Sequence, residues 1–258
     1  MPIRASPGAF SLPEAAMLLV GHRGARGEAP ENTLGGFAHL RQLGIHHVEL
    51  DVRLSADDAL VVLHDTSVNR TTAHNGPVSG YTAAQLAQMN AALVFPPWPR
   101  VEPIPRLETV VAEWPQLKSI QFEVKSASQQ TLRRIAQLLT DLIQRYALGP
   151  RAIITSSDQA MLAIMQRRAP QVQRGFVAER FTRGPLEVCL SHHCRFLVVN
   201  YHRCNPTLVA RAQALGLKVS AWTVNDINAA RRLQQWGVDS LITDAPSLLL
   251  KHLHVAPE

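Results

Sequence analysis

His46-His-Val-Glu-Leu-Asp-Val-Arg-Leu54, then Ser55-Ala-Asp-Asp58, then Ala59-Leu-Val-Val-Leu-His64 is the stretch that decides the fold. Both flanks carry the Val- and Leu-rich alternation of extended chain. A parallel crossover needs about a dozen residues or more. Only Ser55 to Asp58 separate these two runs, so they form an antiparallel hairpin. Working outward, apolar or β-branched runs recur at 17–22, 119–125, 151–155, 174–178, 195–200, 218–224 and 240–243. Helical spacing fills intervals at 131–146, 159–168, 207–215 and 227–236. The last three follow a cap signal: Ser157 or Asp158, Asn205 with Pro206, and Asn225 or Asp226. Gly149, Gly216 and Gly237 stand where helices should end. Strand–helix alternation of this length implies a parallel sheet. With the return strand of the hairpin set aside, eight parallel strands remain in roughly 240 residues, the count and size of a (β/α)8 TIM-type barrel. A doubly wound open sheet uses fewer strands, and no Gly-rich dinucleotide turn is present. Residues 66–105, with Gly76-Pro77, a short helical pattern at 82–89 and Phe95-Pro-Pro-Trp-Pro99, read as a small insertion before the third parallel strand. The expectation is one barrel domain over 1–258.

Composition narrows the class. The chain has 258 residues, 46% hydrophobic and 18% charged, which excludes disordered, collagen-like and coiled-coil proteins. No apolar stretch approaches the ~18–20 residues of a membrane span. The opening residues, with Arg4, Pro7, Pro13 and Glu14, lack the continuous hydrophobic run of a secretory signal. A cytoplasmic protein without stable membrane insertion is expected. Cys189, Cys194 and Cys204 are odd in number and lack zinc-site spacing, so they read as reduced thiols. The 26 Lys+Arg against 20 Asp+Glu give +6, which favours an anionic ligand. The basic pairs at 133–134, 167–168 and 231–232 lie in helical patterns as solvated faces. No aromatic-rich basic stripe points to nucleic acid.

In a barrel of this kind, reactive groups gather at the C-terminal strand ends. There the sequence places polar residues where aliphatics are expected: Gly21-His22-Arg23-Gly24, Glu49-Leu50-Asp51 and Glu123-Val124-Lys125. The i, i+2 spacing puts Glu49 with Asp51, and Glu123 with Lys125, on one face of their strands. A hairpin centred between Ala56 and Asp57 sets Glu49 opposite His64. Taken singly, each piece also reads as a solvated strand face or a structural histidine. Inward carboxylates from adjacent strands, however, need a cation to remain charged. Three acids without cysteine describe a hard divalent ion, Mg²⁺ or Ca²⁺, better than zinc. Two histidines beside it supply a general acid and a general base, and Arg23 and Lys125 hold a phosphate. Together they describe metal-assisted phosphoester hydrolysis.

Val20-Gly-His-Arg-Gly24, Ala29-Pro-Glu-Asn-Thr33, Val48-Glu-Leu-Asp-Val52, Val61-Val-Leu-His-Asp65 and Arg70-Thr-Thr72 resemble the glycerophosphodiester phosphodiesterase family in order and spacing. Pro103-Ile-Pro-Arg-Leu107, Phe122-Glu-Val-Lys125, Trp222-Thr-Val-Asn225 and Gly237-Val-Asp-Ser-Leu-Ile-Thr-Asp244 extend the resemblance to about residues 18–248. The resemblance is to the intracellular bacterial members. It implies a (β/α)8 barrel hydrolysing small-molecule glycerophosphodiesters to an alcohol and sn-glycerol 3-phosphate with a divalent metal. It maps catalytic histidines onto His22 and His64, and metal carboxylates onto Glu49, Asp51 and Glu123. Phosphate contacts map onto Arg23 and Lys125, and a substrate-contacting aromatic onto Trp222.

Other motif residues carry structural expectations. Asn32 or Thr33 caps a helix, Arg70 anchors the insertion by pairing with a carboxylate, and Asp244 shapes the turn after the last strand. Gly35-Gly36 weakens an early helix. His46, His47, His192 and His193 read as surface or loop residues. Two rival functions remain: a lysophospholipase D-type enzyme with an apolar groove from Phe95, Pro97 and Trp98, and a barrel that binds phosphodiesters without turnover.

Overall fold

The hairpin forms, with its ladder one residue away from the expected register. In the computed structural model β2 (His47–Leu54) and β3 (Leu60–Val62) pair as Val52↔Val62, Arg53↔Val61 and Leu54↔Leu60. The Ser55 N–H donates to the Ala59 carbonyl (3.0 Å), so the loop is three residues long and ends on Asp58 at φ +58°. Such a loop closes on a left-handed residue. It shifts the pairing by one, which takes His64 off the position opposite Glu49. The structure describes residues 17–95, 97–179 and 184–253; the opening stretch read for a leader, and Pro96, lie outside them.

β1 (Leu18–His22), β4 (Ser119–Val124), β5 (Ala152–Ser156), β6 (Gln173–Ala178), β7 (Phe196–Asn200), β8 (Lys218–Trp222) and β9 (Ser240–Thr243) follow β2 in parallel, and β1 pairs with both β2 and β9. The barrel is closed, and β3 hangs antiparallel on β2. Helices α1 (Leu34–Gln42), α2 (Ala83–Leu86), α3 (Leu107–Ala112), α4 (Gln129–Arg145), α5 (Gln159–Arg168), α6 (Pro185–Ser191), α7 (Pro206–Ala214), α8 (Ile227–Gln235) and α9 (Pro246–His252) occupy the intervals. None is long and apolar enough to cross a membrane.

The caps are side chains that satisfy orphan amide donors. Asp158, Asn205 and Asp226 accept from the first turns of α5, α7 and α8. Gly216 and Gly237 follow α7 and α8 at positive φ as expected; after α4 both Ala147 (φ +47°) and Gly149 (φ +49°) are left-handed. Gly149 also opens a 3-10 turn. Along α4, Leu132, Ile135, Ala136, Leu139, Leu142 and Ile143 are buried at helical spacing. They join the large core between barrel and helices. A smaller apolar set of Val20, Val177, Val198 and Ile242 fills the barrel interior. Residues of the 66–105 segment, including Val78, Leu86, Met89 and Ile104, pack with Val61 and Leu63 of the hairpin.

Of the two adjacent histidines read as surface or loop residues, His46 is in the loop before β2, whereas His47 is inside the strand. His47 is buried on β2, its Nδ1 2.7 Å from the Ser119 hydroxyl. His46 accepts from the Trp114 indole (3.2 Å). All three cysteines are free thiols and buried. The glycine pair in α1 has a packing cause. A Cβ on Gly35 falls 2.2 Å from the Glu102 carboxylate, and one on Gly36 falls 2.3 Å from the Pro30 carbonyl. Helix propensity favours alanine by about 1 kcal/mol, whereas overpacking costs about 1–3 kcal/mol. Gly36→Ala is therefore expected to lower the melting temperature by roughly 3 °C or more, measured by thermal denaturation; a rise makes propensity the larger effect.

Candidate active site

Strand register builds the site. His22 is level with Glu49, Glu49 with Gln121, and Asp51 with Glu123. The inward faces of β1, β2 and β4 thus stack polar groups in two layers at the C-terminal mouth. One oxygen from each of Glu49, Asp51 and Glu123 lies within 4.8 Å of the others. Asp51 is fully buried, and Oε1 of Glu49 has no hydrogen-bond partner among the described residues. Burial, then the charges of Asp51 and Glu123, push the Glu49 carboxyl well above its ordinary value. Burial also acts against the charged Asp51, but Arg23 and Lys125 outweigh it and hold that carboxyl below its ordinary value. Oxygen donors with an unpaired buried atom fit a hard divalent cation.

The turn after β1 aims the rest. Arg23 sits at φ +51° and Gly24 at φ +90°. A Cβ on Gly21 falls 2.1 Å from the Gly24 carbonyl, so the turn needs glycine there. The Arg23 N–H donates to Glu49 (3.1 Å). Its guanidinium lies between Glu31 (3.0 Å) and Asp51 (3.1 Å), so it balances carboxylates as well as lining the cavity. Lys125 pairs with Glu123 and stands 3.5 Å from Asp51. A left-handed arginine is a strained conformation held by its surroundings.

Each candidate histidine has a carboxylate behind it. Nδ1 of His22 donates to Asp244 (2.6 Å), and Nδ1 of His64 to Asp65 (2.6 Å). Each Nε2 is then the atom left for proton transfer. Both rings line the same cavity, of ≈ 190 Å³, with Arg23, Glu49, Glu123, Lys125 and Trp222. His64 reaches it after the ladder ends: the Leu63 N–H bonds the Asp51 carbonyl (3.2 Å), and Arg53 holds the His64 carbonyl (3.1 Å). Burial lowers the His64 pKa, with Asp51 opposing. A larger hollow of ≈ 730 Å³ lies at the other barrel end around His47, Ser119 and Gln173. Its carboxylate among the described residues, Asp239, accepts the Val219 N–H (2.8 Å), so no acid cluster faces that space.

Several roles were not legible in the motifs. Asp244 backs His22 rather than only shaping a turn, and Asn225 in turn donates to Asp244 (3.0 Å). Thr33 caps α1, leaving Asn32 to donate to Asp51 (2.9 Å). Arg70 does pair with carboxylates, Glu31 (2.6 Å) and Asp65 (2.6 Å). The signal available was a carboxylate one residue after His64 and another at a strand end. Phe95, Pro97 and Trp98 do not line the cavity; Trp98 donates to Glu102 (2.8 Å) on the insertion.

Glu31 joins Arg23, Arg26 and Arg70. Burial opposes its charge, but the Arg70 and Arg23 contacts prevail and bring its pKa from 4.5 to about 2. A depressed folded-state pKa gives stability that is complete above the unfolded value and fades as pH falls through the folded one. Glu31→Gln should cost about 3 kcal/mol near neutral pH. Denaturant titrations should show that gap closing between pH 4.5 and 2; a gap independent of pH contradicts the pairing.

The model of the glycerophosphoryl diester phosphodiesterase family matches residues 22–248. A glycerophosphodiester phosphodiesterase of Caldanaerobacter subterraneus is 31% identical over 236 residues, covering 90% of this chain and 96% of the relative. The structure of an Oleispira antarctica phosphodiesterase in complex with the product sn-glycerol-3-phosphate superposes with a TM-score of 0.84 at 25% identity, covering 92% and 96%. An Agrobacterium tumefaciens glycerophosphodiester phosphodiesterase gives 0.79 at 25% identity, covering 91% and 99%. With closed barrel, ordered motifs and a match over most of its length, the chain belongs to the glycerophosphoryl diester phosphodiesterase family and is a phosphoric diester hydrolase.

Proposed function

We propose that the chain hydrolyses small glycerophosphodiesters to an alcohol and sn-glycerol 3-phosphate with a divalent cation, Mg²⁺ or Ca²⁺, and two histidines. The observation that carries this is the convergence of Glu49, Asp51 and Glu123 to within 4.8 Å beside two carboxylate-backed imidazoles. These three carboxylates would hold the cation, which supplies Lewis-acid stabilisation of charge on the phosphoryl oxygens. Lys125 and Arg23 would add positive charge beside the phosphate, in a cavity that both line. Nε2 of one histidine takes the proton of the attacking hydroxyl as the new P–O bond forms. Nε2 of the other donates a proton to the departing alkoxide as the old P–O bond breaks. Asp65 and Asp244 hold the rings with Nε2 turned to the cavity and stabilise the imidazolium form that arises in turn. Asn32 and Asn225 fix Asp51 and Asp244.

The reading is tested by assaying release of glycerol 3-phosphate from glycerophosphocholine. EDTA should abolish turnover and added Mg²⁺ or Ca²⁺ restore it. His22→Ala and His64→Ala should each lower kcat by about 10²–10⁴-fold. Substrate binding without turnover in the wild-type protein would support the binding barrel instead. Asp244→Asn should lower kcat by about tenfold or more with little change in KM, because a misplaced imidazole affects the transition state more than binding. An unchanged kcat would leave Asp244 with only its turn.

A further inference from the structure

The cavity has a second wall, made by β6, β7 and β8, that the proton transfers above do not use. The pairings Ala178↔Val199 and Asn200↔Trp222 bring the residue after β6, Glu179, into one layer with Asn200 and Trp222. Below that layer Val177 and Val198 point inward in the barrel's apolar set, against which Trp222 packs. The two-residue alternation turns Asn200 and Trp222 inward as well, while Glu179 lies past the end of β6 in a tight turn, its N–H bonding the Val177 carbonyl (3.1 Å). Glu179 and Trp222 both line the cavity. Asn200, between them, has its side-chain oxygen committed to the His202 N–H (3.0 Å). No ion pair claims the Glu179 carboxylate among the described residues; the Arg203 guanidinium donates to its main-chain oxygen (3.1 Å).

The walls differ in purpose. Arg23, Lys125 and the acid cluster stand on β1, β2 and β4, and that side takes the phosphate. A diester bound there would extend its other substituent across the mouth, toward a carboxylate without an ion pair among the described residues and an indole. Carboxylate plus indole is the combination that recognises an ammonium group: the charge attracts it, and the ring quadrupole favours a cation over a neutral hydroxyl. A polyol substituent gains neither interaction.

We propose that Glu179 and Trp222 form the subsite for a cationic leaving alcohol, so that diesters of glycerol 3-phosphate with amino or quaternary ammonium alcohols are preferred over those with uncharged polyols. The inference rests on the hydrolase reading above. Its test is kcat/KM for glycerophosphocholine, glycerophosphoethanolamine and glycerophosphoglycerol in the wild type and in Glu179→Gln, Glu179→Lys and Trp222→Leu. The wild type should favour the two cationic substrates by about fivefold or more, the weight of one partly solvated charge pair with an aromatic contact. Glu179→Gln should bring that ratio close to one, and Glu179→Lys should invert it. Trp222→Leu should lower the choline-to-glycerol ratio more than the ethanolamine-to-glycerol ratio, since the quaternary group relies most on the ring. Glu179 is exposed, so its variants are expected to fold, and wild-type melting temperatures check this. Turnover of all three substrates with a ratio that Glu179→Gln leaves unmoved overturns the subsite and leaves the hydrolase reading standing. Turnover of none overturns both.

Discussion

Negative charge buried in the barrel mouth is the constraint on which this structure depends. Glu49, Asp51 and Glu123 come from two adjacent strands and face the same small space. All three residues are buried, so each carboxylate is stable as an anion only with cations beside it. The chain supplies part of that compensation through Arg23 and Lys125. The remainder, expressed in the raised Glu49 pKa and in its unpartnered oxygen, is the demand a divalent ion would meet.

That demand spreads outward through named contacts. Arg23 reaches both Glu31 and Asp51 from the left-handed turn after β1. Glu31 then connects Arg23 to Arg70, and Arg70 connects to Asp65, which orients His64. The first βα turn and the loop after the hairpin are thereby one electrostatic unit. The second histidine is held separately, by Asp244 from the far side of the barrel closure, where β9 meets β1. Closing the barrel is therefore a requirement of the candidate site, since it brings residues 22 and 244 within a hydrogen bond.

Much of this was legible in residue order. The four-residue interval between two extended runs required a hairpin, and the remaining strand count required a barrel. Alternating Glu49 and Asp51 identified an inward acidic face. The hairpin register was not legible, because two-residue and three-residue turns differ by a slip that only the left-handed Asp58 resolves. After α4, Ala147 takes a left-handed conformation ahead of the expected Gly149, which is also at positive φ. Gly35 and Gly36 looked like weak helix formers, yet the Pro30 carbonyl leaves no room for a side chain on Gly36, and one on Gly35 would displace the Glu102 carboxylate.

By itself, the sequence determined the periodicities, the cap residues, the polar groups at strand ends and the ordered motifs, all of which depend on neighbours within a few positions. Only the tertiary structure decided which carboxylate orients which imidazole, where His64 turns after its strand, and that Glu179 shares a layer with Trp222. Those pairings join residues far apart in the chain. Their geometry comes from strand register and barrel closure, and short-range patterns carry no record of either.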